Sequence, residues 1–240
     1  EQFERSRSNT ERVSLLRRLA ELWHHELEDP DRAVWACEQI LALTPADREA
    51  LSRLQQLLED AGQYEELLEV LARELKHAGS PDGKVKILRR MARIAERDLD
   101  DDDRAAELWE QLTSLKAGDL EIIDHLCLLY ERSGRLEDLS AMLGRAAGAA
   151  STPLIRQIDY LLRLGQLAES SLDDSELARS SFERVLRSRP DHRGALEALV
   201  RLYRQGDAWK PLVAVLGKLQ ELAETDDDAF RIAWERAELL

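Results

Sequence analysis

Apolar residues recur along nearly the whole chain at spacings of three and four, the period of an amphipathic helix. Over the first 77 residues this pattern predicts helices near 10–27, 31–44, 47–61 and 63–77. The breaks between them have chemical causes. Pro45 and Pro190 stand where a helix must stop, and Gly62, Gly134 and Gly206 mark tight turns. Ala, Leu, Glu and Arg, all strong helix formers, dominate, and β-branched residues are scarce.

The helical pattern repeats. Shifted by 72 residues, ELEDPD at 26–31 falls on DLDDDD at 98–103, and a further 73 bring SLDDSE at 171–176 to the same place. Leu16, Leu88 and Leu161 then align, as do Ala20, Ala92 and Gly165, and Cys37, Trp109 and Phe182. Leu67, Leu139 and Leu212 align late in the unit. The units run from about 10–81, 82–153 and 154–226, with a partial fourth at 227–240. Each splits into two helix pairs of about 36 residues, a period typical of helical repeat arrays. The expected fold is all-α: antiparallel helix pairs stacked into one right-handed superhelical solenoid over residues 1–240.

That register also explains the acidic run DLDDDD. Asp98, Asp100 and Asp102 have the first three spacings of a calcium loop. Asp103 replaces the required Gly, however, and Trp109 stands where the bidentate Glu belongs. Acids and Ser before a new helix are what its free N–H groups and dipole favour, so a recurring helix–helix turn is expected. Glu21, His25 and Asp29 share a helix face, but Asp29 falls in a turn, and no metal or cofactor is expected.

Charge narrows the partner. The chain has 48 acidic and 34 basic residues, a net −14, which disfavours phosphate backbones and hence nucleic acid. Only 6 of the basic residues are Lys, a bias that points to a GC-rich, bacterial source. No apolar run reaches the length of a membrane span. The chain begins with Glu1. Phe3, 72 residues before Leu75, reads as the end of a preceding helix, and AELL at 237–240 stops within a helix pattern. The sequence therefore reads as a fragment of a longer protein, which leaves its targeting signal and localisation open, with the cytoplasm favoured.

These columns resemble the tetratricopeptide (TPR) repeat family. Leu16, Leu19, Ala20 and Trp23, then Ala33, Cys37, Ile40 and Pro45, follow the family's order of large, small and aromatic positions. Leu161, Leu164, Gly165, Ala178, Phe182 and Pro190 follow it closely, whereas Ala117 replaces the proline in the second unit. Bulky Ile40, Leu112 and Val185 depart from a usually small position. The resemblance implies a non-catalytic protein–protein interaction scaffold whose first helices line a concave face. A helical accessory domain of a larger enzyme, or a structural spacer, is the alternative.

No phosphate-binding loop or nucleophile elbow occurs. Cys37 and Cys127 fall on core columns, as do Trp23, Trp109 and Trp209. Two residues beyond Leu16, Leu51, Leu88, Ile123, Leu161 and Leu196 stand Arg18, Arg53, Arg90, His125, Arg163 and Ala198. By the resemblance this column faces the concave groove, with Arg17, Arg89, Arg93 and Arg201 on or near the same face. A basic ladder there suits an acidic protein or peptide segment. Glu49, Glu121 and Asp159 are candidate internal partners for it. The family's carboxylate clamp is not implied, because it needs Asn on this face and Asn9 lies outside it.

Overall fold

The structure is a computed structural model that describes residues 9–239. Phe3 lies outside the described residues. Among those residues there are thirteen helices and no strand. The first helices of successive pairs are α1 (Asn9–His25), α3 (Arg48–Asp60), α5 (Pro81–Arg97), α7 (Leu120–Arg132), α9 (Leu154–Ser170), α11 (Arg193–Gln205) and α13 (Asp226–Glu238). The second helices are α2 (Pro30–Leu43), α4 (Tyr64–His77), α6 (Asp102–Leu115), α8 (Leu136–Gly148), α10 (Ser175–Ser188) and α12 (Trp209–Glu221). The four helices expected in the first unit are all present, with ends within two residues of the predicted ones.

The chain divides into two compact units, one ending at Ala117 and the other beginning at Gly118. In the first, α1 packs on α2, α3 on α4 and α5 on α6, and in the second α9 packs on α10, α11 on α12 and α12 on α13. The core of each is built from the aligned columns. Leu16, Ala20, Ala33, Cys37, Leu67 and Ala92 are almost wholly buried in the first unit, and Leu126, Cys127, Ala178, Phe182 and Leu212 in the second. One departure concerns Trp209, which is 47% exposed despite its core column. It is the first residue of α12, where the chain is still leaving the turn.

The three acidic turns share one geometry. Glu28, Asp100 and Asp173 adopt positive φ (49°, 53° and 51°), and the next residue in each case, Asp29, Asp101 or Asp174, caps the following helix. The caps accept from the N–H of Arg32, Arg104 and Leu177 at 3.1, 3.0 and 2.9 Å. Before each turn, Leu27, Leu99 and Leu172 donate back to Leu22, Ile94 and Leu167, closing the preceding helix. Within DLDDDD the Asp101 carboxylate caps the new helix, and Asp102 and Asp103 stand in its first turn.

The second-pair turns correct one sequence expectation. Gly62 and Gly134 are left-handed as their turns require (φ 67° and 69°), but in the third unit the left-handed residue is Asp207 (φ 51°). Gly206 stands one position early, as the helix cap at φ −94°.

Candidate functional site

The face made by the first helices is laced with charge. In the first unit Arg53 of α3 reaches Glu21 of α1 at 3.3 Å, and Arg90 of α5 reaches Glu59 of α3 at 2.7 Å. In the second, Arg163 of α9 reaches Glu131 of α7 at 3.5 Å, and Arg201 of α11 holds both oxygens of Glu169 of α9 at 3.0 Å. Each pair joins residues 31 or 32 apart, one first helix to the next. Arg204 of α11 and Glu235 of α13 make a further such pair with the charges reversed.

Most of the candidate basic residues therefore have partners. Arg17 binds Asp47 at 2.6 Å and Glu49 at 3.2 Å, where Asp47 also caps α3. Arg90 additionally donates to Gln55 at 2.8 Å, while the Gln55 amide donates to Glu74 at 2.7 Å. Gln55 is 93% buried, so Arg90 satisfies an oxygen that water does not reach. Arg89 and His125 also have interactions. Arg18 and Arg93 are exposed, and among the described residues no carboxylate pairs with either. Of the internal partners expected from the sequence, Glu49 is used. Glu21, Glu59, Glu131 and Glu169 escaped notice because they become neighbours of the arginines only when consecutive pairs stack.

Lys86 and Arg97, which the sequence reading left out, extend Arg90 and Arg93 into a stripe on α5. Lys86, Arg90, Arg93 and Arg97 follow one another at spacings of four, three and four, on one side of the helix. Lys86, Arg93 and Arg97 are exposed. Beside the start of the stripe lies a hollow of about 600 Å³ between α3 and α5, whose walls include Leu51, His77, Gly83, Lys86 and Ile87.

In the second unit the most connected polar cluster sits between α7 and α9. Arg156 donates to Asp124 and, at 2.9 Å, to Tyr160, whose hydroxyl donates to Asp124 at 2.8 Å. Asp124, Arg156 and Tyr160 fasten two helices and satisfy one another.

Both thiols are fully buried, and burial pushes each up to about 11. They stay protonated near neutral pH and are poor nucleophiles. Trp35 (46%) and Trp234 (61%) are exposed, the first edge-on to Trp23 and the second beside Phe230. Among the described residues no group of three or more His, Cys, Asp or Glu is placed to hold a metal ion, and no helix is long and apolar enough to cross a membrane.

Stacked helix pairs with recurring turns define a helical-repeat protein. The tetratricopeptide repeat family model matches residues 159–192, which span most of α9 and all of α10. A tetratricopeptide repeat is thus matched over one hairpin, and the same hairpin geometry recurs around it. Among solved structures it is similar to a tetratricopeptide repeat protein from Parabacteroides merdae at 14% identity, covering 93% of this chain and 85% of that one with a TM-score of 0.38. The C-terminal part of a TPR repeat-containing protein from Cytophaga hutchinsonii is 14% identical, with 86% and 78% covered and a TM-score of 0.44. YrrB, a TPR protein with an unusual peptide-binding site, is 14% identical, with 80% and 97% covered and a TM-score of 0.38. Comparison with curated proteins returns no match.

Proposed function

We propose that the chain is a non-catalytic scaffold that captures a segment of a partner protein on the face formed by its first helices. The observation that carries this reading is the exposed, chemically varied surface of that face. Arg18, Gln56, Arg93, Leu128 and Gln166 all project from it without being needed in the core. Leu128 is 56% exposed on α7, an apolar side chain left in water between charged neighbours. Inert thiols and the match to a repeat family support binding over chemistry.

The test is site-specific photocrosslinking in cells of the source organism. A photoreactive side chain at Gln56 or Gln166, on first helices, should trap a partner. The same group at Glu69 or Glu107, on second helices, should not. Trapping from the second helices alone would overturn the assignment of the face.

A further inference from the structure

We propose that α5 is the recognition element for an acidic polypeptide segment carrying an apolar anchor next to its carboxylates. This rests on the scaffold reading above and names the partner's chemistry.

In the interhelix ladder of the first unit, Arg53 and Arg90 each hold a carboxylate. The stripe on α5 breaks that rule. Lys86, Arg93 and Arg97 are exposed on one side of a helix, and no carboxylate among the described residues neutralises them. From Lys86 to Arg97 the stripe is about 16 Å long at the helical rise of about 1.5 Å per residue. An extended segment of about five residues covers that length.

Three exposed cations along one side of a helix form a local run of positive charge on a chain of net charge −14, a pattern whose complement is an anionic segment. Arg90, in the middle of the stripe, is occupied by Glu59 and Gln55 and holds the stripe's backbone in place. The ends are therefore the binding groups and the centre is the support.

The hollow beside Lys86 supplies the second half of the specificity. Leu51 and Ile87 line it, and its volume of about 600 Å³ takes a large apolar side chain. Arg48, His77 and Lys86 share the wall with Glu74, which accepts from Gln55, so the anchor rests on Leu51 and Ile87 at the floor of a polar rim. The anchor thus enters the hollow, and the acids that follow it run along Lys86, Arg93 and Arg97.

The test uses the full chain and a fluorescent twelve-residue peptide with one phenylalanine followed by four glutamates, read by anisotropy. Wild type should bind, and the affinity should fall steeply as sodium chloride is raised from about 50 to about 300 mM, because exposed charges are screened over about 10 Å or less. The triple variant Lys86→Glu, Arg93→Glu, Arg97→Glu should bind more than ten-fold more weakly (about 1.4 kcal/mol). Its helicity and melting should stay close to wild type, since none of the three residues holds an internal partner. Should the reversal disturb folding, the triple glutamine variant of the same positions should still lose binding. A peptide with glutamines in place of the glutamates must bind less than the acidic one. Equal binding of that neutral peptide, or preference for a duplex RNA, would overturn the acidic class and leave the crosslinking result untouched. Unchanged peptide binding by both folded triple variants would overturn the assignment to α5.

Discussion

The two units share a framework and differ in where they put charge. In the first, the first helices carry eleven basic residues and seven acidic, and the second helices four and ten. In the second unit the first helices carry eight basic and eleven acidic, and the second helices six and five. Helix α5 alone contributes Lys84, Lys86, Arg89, Arg90, Arg93 and Arg97. The first unit thus sorts its charge between its two layers and the second does not. Core columns, turns and caps repeat, because packing and backbone satisfaction demand the same answer each time. Surface charge is free of that demand, so an ordered pattern there reflects what the surface meets.

The comparison can be broken most severely at Gly165. A Cβ built there would lie 2.6, 2.8 and 2.9 Å from three ring atoms of Phe182, which is 1% exposed and has nowhere to retreat. The first unit accommodates Ala20 and Ala92 in the same column, opposite the Cys37 and Trp109 column. Gly165→Ala should cost about 1–3 kcal/mol in urea unfolding, as overpacking does, and Phe182→Leu in the same chain should recover part of it. In native buffer Cys127, on α7 of the same unit, should then react faster with a thiol reagent, since alkylation requires local opening. A neutral outcome would mean the ring shifts freely, and the tight column would lose its meaning.

Alkaline pH should separate the units next. Burial, then donation to Glu183, pushes Tyr203 up to about 12, and burial also raises Tyr160. Free tyrosine ionises near 10, so the stability tied to these protons is whole below about pH 10 and is lost as pH climbs towards 12. Cys37 and Cys127 act in the same sense from about pH 9 to 11, one in each unit. Among the described residues the second unit therefore holds the larger share of groups that must ionise. Limited proteolysis at about pH 10.5 should cut residues 118–239 before residues 9–117, and Tyr203→Phe should narrow the gap. Earlier cutting of the first unit would contradict this.

The smallest effects lie in the ladder, where the units should agree. Arg53→Ala and Arg163→Ala remove exposed pairs and should each cost no more than about 1 kcal/mol, falling further at high salt. Arg90→Ala should exceed both by about 1 kcal/mol, because it strands the buried Gln55 oxygen. Equal losses at all three positions would deny that Gln55 depends on Arg90.

Much of this framework is legible in order along the chain. Asp29, Asp101 and Asp174 announce their helices because capping is local, and the 72-residue register exposes the core because burial repeats with it. Local signals fail where geometry is decided elsewhere. Gly206 looks like the turn residue, yet the aligned position eleven residues after Leu196 is Asp207. Trp209 looks like core because its column is, but a helix's first residue points by its turn. The basic column could be read from spacing alone. Its carboxylate partners could not, because residues 31 and 32 apart meet only through stacking. Lys86 and Arg97 are legible only along α5, by helical period, because they have no counterpart in the basic column that repeats from helix to helix.

The spacing of the ladder bears on how such a chain can grow. Glu21 and Arg53, Glu59 and Arg90, Glu131 and Arg163, and Glu169 and Arg201 all join one hairpin to the next across 31 or 32 residues. The hairpins that start with α3 and α9 each bring both halves of the fastening, an arginine for the neighbour before and a glutamate for the neighbour after, whereas the α11 hairpin gives arginines to both sides. Duplicating or deleting either of those two hairpins in the gene leaves the joints around it with one cation and one anion, whereas a shift of a few residues leaves a joint without its mate. Such an array changes length by whole modules, and the surface that recruits partners can diverge module by module while the joints stay interchangeable.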